Sequence, residues 1–486
     1  MDIKKNHIVA FSLLIVMAIF SSCHKDHIPN NDPKLQLSFS NDTILFDTVF
    51  TSLGSTTHRL MIYNQHNDML KISSIRLAGG NRSPFRLNFD GEAGTEFYDK
   101  KIPGNDSLFS FLRVTINPND LNTPFLVEDS LEFITNGNRQ MVRLVAYGQN
   151  ANYIVADRKI GSFPKFKIVA DSLETTVWTN ERPYVIYGYA LVNSYGTLHI
   201  EAGTHIYIHN KGGIWTWSDG QLIIDGTQEN PVIIEGDRLE PYYKDQPGQW
   251  DRIWLMDGRE GADNIVRHAI IRNGFIGIHT ESFVHPTRSA LRLENTIIEN
   301  HSGFGIFSRL YAIEAKNLVV ANCGNGGVSI HFGGDYRFIH TTIANNNWKY
   351  GNAAKRPEAS VFLNNYAKDT SGYYDFPLRF ELDNSIVYGN LDNEFSTDFH
   401  GSDTTYVFDH CLIKTRRYQD APYGFNNCIF NRDPLFVDYN AFDYHIDGIS
   451  SPAIGVGNPI FGMELPFDLD GVSRGGIPDL GAYQHR

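Results

Sequence analysis

Cysteine is scarce: the 486 residues hold four, at Cys23, Cys323, Cys411 and Cys428. Cys23 ends the N-terminal apolar run, which leaves three, and an odd number excludes a framework of paired disulfides. Cys411 and Cys428 hold equivalent places in two repeat units, so they read as stacked, buried thiols, with a bridge between them left open. Cationic blocks are missing too. The formal net charge is −13, a balance that repels a phosphate backbone and excludes nucleic acid as a partner. The longest apolar run, Ile8–Phe20, is too short to span a bilayer as a permanent helix. No HExxH, CxxC or complete EF-hand loop occurs. Asp468-Leu469-Asp470-Gly471 opens like a calcium loop and stops, so no metal site and no resident cofactor is expected. Gly333-Gly334 is a turn without phosphate-loop context.

What the chain does have is glycine (42 residues), 13% aromatics and 42% hydrophobic residues, a composition that suits an all-β chain. Its length calls for two or three domains unless a repeat array takes it up.

The first residues carry a compartment signal. Lys4, Lys5 and His7 precede Ile8–Phe20, and Ser21-Ser22-Cys23 follows: a charged start, an apolar stretch and small residues before a cut. This resembles a bacterial lipoprotein signal with Cys23 as the lipid-bearing residue. The resemblance implies a signal over 1–22, a polar tether over 23–35 and a lipid bilayer as partner. It also implies an outer-membrane location, periplasmic or surface-exposed.

Between 36 and 150 seven short β-like runs alternate with turn signals, including "TILFDTVF", "HRLMIYNQ", "KISSIRLAG", "FSFLRVTIN" and "QMVRLVAYG". That pattern predicts an antiparallel sandwich. The wording resembles bacterial immunoglobulin-like domains related to the Hydin and abnormal-spindle families, which implies a spacer or interaction module. Residues 151–180, rich in Lys, Ser and Thr, read as a connector.

One phrase then recurs: "VRHAIIRN", "LENTIIEN", "GGDYRFIHTTIANN", "LDNSIVYGN", "FDHCLI", "FNNCIF". Its aliphatics fall at Ile270, Ile297, Leu318, Ile343, Ile386 and Leu412, mostly about 21 to 27 residues apart. Such a period means stacked coils with no core of their own. It is too short for two helices and rich in strand formers, so a right-handed parallel β-helix is expected over 181–433, with a cap over 434–486. In that register Ile270, Ile297, Leu318, Ile343 and Ile386 point inward. Asn273, Asn300, Asn322, Asn346 and Asn390 mark the bend, since Asn tolerates left-handed backbone. The phrases "GQLIIDGTQENPVII", "WDRIWL" and "LDNSIVYGN", with the closing "FDLDGVSRGGIPDLGAYQ", resemble the pectate-lyase-like superfamily in the form common in exported Bacteroidota lipoproteins. That fold hosts lyases, hydrolases, esterases and binding proteins alike, so activity stays open.

Two groups of side chains are candidates for chemistry. Asp263, Arg267, His268, Arg272, His279, Glu281, His285, Arg288 and Arg292 form a dense titratable cluster, read as a groove (Arg267, Arg272, His279, Glu281 and Arg288 above all) or as salt-bridged outer faces. A lyase of the resembled type would need acids holding Ca²⁺ and a nearby Arg or Lys, and a hydrolase would need paired carboxylates. Neither spacing is diagnostic, so catalytic residues stay unknown. His268, His340 and His410 share one repeat position with Asn295, Asn384 and Asn427, which reads as a structural ladder rather than a metal site. The second group is aromatic. Trp215 and Trp217 lie two apart on one strand face. Tyr242, Tyr243, Trp348, Tyr350 and Tyr373 sit in insertions, which on repeat arrays often build binding surfaces. Aromatic rings among polar neighbours suit sugar faces, or else cap the coils.

The functional expectation is a lipid-anchored cell-envelope protein that binds a polysaccharide or cell-surface glycan or acts in adhesion. The alternatives are a lyase or hydrolase of acidic polysaccharide, with calcium only in the lyase case, and a structural spacer.

Overall fold

Strand takes up 54% of the chain against 3% helix. The computed structural model describes residues 28–282, 290–346, 356–401, 403–420 and 423–485. Cys23, His285, Arg288, Trp348 and Tyr350 lie outside the described residues. Among those described, no helix is long and apolar enough to cross a membrane.

Two compact units emerge, Met1–Asn119 with Pro124–Gln149, and Asp120–Thr123 with Asn150–Arg486. The first is a sandwich of two five-stranded sheets. Leu60, Ile62, Ile72, Ile75, Phe85 and Phe133 alternate inward from both sheets and are fully buried, as the two-residue strand period requires. The pairing is not wholly antiparallel. Asn138–Gln149 runs parallel to Thr43–Phe50, so the first and last long strands close the same sheet. Ten strands form where seven runs were expected, the three additional ones being Phe85–Phe89, Glu92–Gly94 and Glu96–Ile102.

The second unit is built from one sheet of parallel strands in which each strand pairs with its equivalent one repeat later. Three columns result. The first column stacks Ile214, Ile253, Ile278, Ile306, Val328 and Val361 inward. The second stacks Ile224, Val266, Leu293, Ala315, Phe338 and Leu382. The third stacks Ile234, Ile271, Ile298, Val320, Ile343 and Val387. All of these are buried in one continuous core. Burying strands against one another in register, with every backbone group paired above and below, is what a repeat of this length achieves.

The expected register was one residue off in part of the third column. Ile343 points inward as anticipated, and Leu318 is buried in the core. Ile270, Ile297 and Ile386 point outward, and their neighbours Ile271, Ile298 and Val387 fill the interior. Adjacent aliphatics occupy both faces there, so the word itself does not say which is inside.

The reason for the second aliphatic is the C-terminal segment. Expected as an end cap, residues 434–485 instead run along the outer flank of the third column. Ile446, Ala453 and Leu480 pack on Ile386 and Leu412. Tyr444, Ala482 and Tyr483 pack on Val319, Ala321 and Ala344, with Ile297 beside them. Arg474 is buried and donates to Asn317 (2.9 Å), Gln484 (3.0 Å) and the Ala482 carbonyl (3.0 Å). Residues 151–180 are likewise not a linker. Asn152–Val155, Phe166–Ala170 and Thr175–Trp178 pair in parallel with the strands that follow and form the first turn of the stack.

Two polar ladders hold the corners. Asn273, Asn300 and Asn322 adopt φ of 67°, 57° and 54°, and each donates to the one below, Asn300 to Asn273 at 2.7 Å and Asn322 to Asn300 at 3.1 Å. The ladder continues through Asn345, which accepts from the Cys323 amide at 2.7 Å, rather than through Asn346. Asn390 serves elsewhere, accepting from Arg356. The second ladder joins His268, Asn295, Asn317, His340, Asn384, His410 and Asn427, all left-handed. Cys411 and Cys428 stand in successive coils as free thiols.

Candidate functional site

Every second residue of a strand faces the same side, and in-register parallel pairing sets equivalent side chains about 4.8 Å apart. On the outer side of the first column this rule stacks Trp215 on Trp254 on His279 on Phe307. The rings of Trp215 and Trp254 lie 5.1 Å apart at 11°, and those of Trp254 and His279 5.7 Å apart at 5°. Phe307 meets His279 edge-on at 5.1 Å. At the next position Ser329 is too small to continue the stack, and His331 replaces it, 4.8 Å from Phe307 and 5.3 Å from Phe362. An aromatic spine therefore runs along one outer face.

Charged groups are threaded into it. Glu281 accepts from Trp254 Nε1 at 3.3 Å and from Arg309 at 3.2 Å. His279 Nδ1 accepts from Arg252 at 3.1 Å, which leaves its proton on Nε2, 3.6 Å from Glu281. Burial, with Arg252 and Arg309 nearby, pushes the His279 imidazole down to about 3. Burial and Arg309 push His331 down to about 4. Both rings are neutral at neutral pH, not proton carriers. His279 Nε2 and Arg309 Nε are buried without a hydrogen-bond acceptor among the described residues.

Ser329 Oγ lies 3.0 Å from His331 Nε2 and 3.0 Å from Glu358 Oε2. The carboxylate meets the hydroxyl, not the imidazole, so the order required to activate a nucleophile is absent. Burial raises the Glu358 carboxyl above its usual range. No group of three or more His, Cys, Asp or Glu among the described residues is arranged to hold a metal ion.

The expected groove residues do not converge. Arg267 lies on the second column, paired with Glu294 (3.1 Å) and Asp225 (3.5 Å). Arg272 lies on the third, paired with Glu235 at 2.8 Å. Arg292 bridges Asp263 and Glu314. Among the described candidates only His279 and Glu281 share the aromatic face. Arg267, Arg272 and Arg292 are rungs of ion-pair ladders, because vertical stacking favours alternating sign at equivalent positions. His268 is a ladder residue, 3.2 Å from the Asn295 amide.

The aromatic candidates also separate. Trp215 and Trp217 meet at 5.0 Å. Trp215 is 1% exposed, packed among Phe166, Tyr189 and Leu191, which corrects the expectation of an open ring. Trp217 is half-buried. Tyr242 and Tyr243 form their own edge-on pair at 5.1 Å, with the Arg238 guanidinium 3.9 Å over Tyr243. Tyr373, on a hairpin of Tyr366–Asp369 and Gly372–Asp375, stacks on His400 at 4.1 Å. No ring contact among the described residues joins these groups to the Trp pair. Trp254, Phe307, Phe362 and Arg309 were missed. The signal for the rings was the third letter of "GIWTW", "RIWLM", "GIHTE", "GIFSR" and "SVFLN", and Arg309 is the fifth letter of the fourth, visible only when the strands are aligned on the first column.

No family model matches the chain, and no curated protein does. Among solved structures, a PapD-like domain of human CEP192 aligns with 27% of this chain and 94% of its own, at 12% identity and a TM-score of 0.17. The periplasmic chaperone SfaE aligns with 24% of this chain and 58% of its own, at 13% identity and a TM-score of 0.17. A family 123 glycoside hydrolase from Clostridium perfringens aligns with 24% of this chain and 30% of its own, at 8% identity and a TM-score of 0.18. The chain thus spans under two thirds of the chaperone and under a third of the hydrolase. At such scores these likenesses carry nothing about activity.

Proposed function

We propose that this chain is a lipid-anchored cell-envelope protein whose second unit is a right-handed parallel β-helix that binds glycans along the outer face of its first column. The handedness follows from the general rule that parallel strands in one sheet are joined by right-handed crossovers. The observation that carries the binding reading is the aromatic spine from Trp215 through Trp254, His279 and Phe307 to Phe362, flanked by Glu281, Arg252 and Arg309. The half-buried rings of Trp254, Phe307, His331 and Phe362 offer sugars an apolar surface, with buried Trp215 and His279 packed among them as support, and the flanking charges offer hydrogen bonds of fixed direction. The sandwich is a spacer or interaction module, and Cys23 bears the lipid.

A second reading, a lyase or hydrolase of acidic polysaccharide, is favoured by one cluster: Glu281, with His279 and Arg309 each within hydrogen-bonding or ion-pair reach of it. Incubating the mature protein with a polysaccharide panel, with and without Ca²⁺, distinguishes the two. Retention without new reducing ends or unsaturated products supports binding, and their appearance supports catalysis. Retention of nothing in the panel removes both. The anchor is tested separately by Cys23→Ala, which is expected to move the protein into the soluble fraction.

A further inference from the structure

The spine begins beside an opening. A cavity of about 600 Å³, within the size range of small-ligand sites, lies between the first turn of the stack and the start of the aromatic face. Its walls include Ile168, Leu191, Trp215 and Trp217, and its rim carries Arg158 and Lys159. The apolar walls are equivalent positions of one column: Ile168 pairs with Leu191 and Leu191 with Trp215. They form a flat surface continuous with the spine.

The rim is unusual in charge. Across the stack Arg252, Arg267, Arg272, Arg292, Arg309 and Arg337 are each matched by a carboxylate. The stretch 158–167, "RKIGSFPKFK", holds four cations and no acid, in a chain of net charge −13. Among the described residues only Arg158 of these four has an ion pair, a loose one to Asp157 at 3.9 Å with both side chains about 60% exposed. Lys159 is exposed on the rim. A loosely paired guanidinium and an exposed ammonium beside an apolar shelf can meet an incoming anion, and a guanidinium matches the planar geometry of a carboxylate.

We infer that this cavity is the subsite for a carboxylate-bearing sugar unit of an acidic glycan, its ring against Trp217 and its carboxylate on Arg158 and Lys159. The inference rests on the glycan-binding reading above and narrows it to one class of sugar. Half-buried Trp217 supplies the contact surface, and buried Trp215 holds it in place.

The experiment is calorimetric titration of the full mature protein with a uronate oligosaccharide, a neutral oligosaccharide of equal length and a sulfated one. Wild type is expected to bind the uronate about tenfold tighter than the neutral sugar, with the advantage shrinking as salt rises. Arg158→Gln with Lys159→Gln is expected to erase that advantage, leave neutral-sugar binding and leave the unfolding midpoint unchanged, since both side chains are exposed. Trp217→Ala is expected to weaken both sugars. If that variant unfolds, the double glutamine variant alone decides. Equal binding of uronate and neutral sugar, or uronate binding indifferent to the double substitution, overturns this subsite and leaves the wider reading standing. Binding of the sulfated glycan alone overturns the assigned class. Binding of no glycan by wild type overturns the wider reading, and this inference with it.

Discussion

Two outer faces of the same stack have opposite fates. The third column turns Ile297, Val319, Ala344 and Ile386 outward, and the chain's own C-terminal segment covers them. The first column turns out Trp215, Trp254, His279 and Phe307, interleaved with Arg252, Glu281 and Arg309. Aliphatic outward positions are satisfied by burial alone and call for a permanent cover. Aromatic positions with polar edges tolerate a partial one. The difference between the covered flank and the aromatic face therefore lies in side-chain type at the outward positions of parallel strands.

The sharpest break in that comparison sets the inside against the covered outside. Ile298→Asp places an unpaired charge in the closed interior and is expected to cost on the order of 4 kcal/mol or more, seen as a large fall in the denaturant midpoint. Ile297→Asp, one residue earlier and only partly covered, is expected to cost about half as much. Equal losses would mean that the flank is as closed as the core.

Next comes the cover itself. Arg474→Met removes a buried guanidinium that ties the C-terminal segment to Asn317 and to its own carbonyls, leaving their acceptors without partners. A loss of about 3 kcal/mol is expected, with faster proteolysis confined to residues 434–485. Uniform proteolysis across the stack would show that the segment does not detach as a unit.

Acidity separates the faces by sign. His279 and His331 have folded values of about 3 and 4 against the usual 6.5. As pH falls below 6.5 the unfolded chain takes up protons that the folded chain refuses. Stability then drops by up to about 1.4 kcal/mol per unit for each group, until their folded values are reached. His445 on the C-terminal segment behaves oppositely. Burial alone would depress it, but hydrogen bonds to Asp470 and Asp443 raise it above 6.5. Its contribution is full below 6.5 and fades as pH rises through the raised value. Unfolding midpoints measured from pH 4 to 8 on wild type, His279→Gln and His445→Gln are expected to show a flattened acid limb in the first variant and a flattened alkaline limb in the second.

The smallest effect belongs to the ion-pair ladders. Arg267→Ala loses an exposed pair, worth about 0.5 kcal/mol, and is expected to leave glycan binding unchanged. A large loss of binding would bring the second column back into the site.

The repeated phrase, the turn residues and the strand-forming composition were enough to read parallel coils and a separate sandwich, because period and propensity are local properties. The recurrence of Asn and His at left-handed corners was legible for the same reason: one backbone angle demands the same few residues each time. Register was not legible where two aliphatics stand side by side, as in Ile270-Ile271 and Ile297-Ile298, since either one fills a core equally well.

What lies on each outer face was decided only by the tertiary structure. Ion pairs such as Arg267 with Glu294 and ring stacks such as Trp254 on His279 join residues 25 to 27 apart, and which of them meet depends on how the coils lie over one another. The path of residues 434–485 along the flank was hidden for the same reason: its contacts, from Ala482 to Thr342 and from Gln228 to Asp470, join residues more than a hundred positions apart. Sequence determines the period because each residue's backbone preference acts locally. Structure decides the surface because burial is a property of neighbours that the chain brings together only on folding.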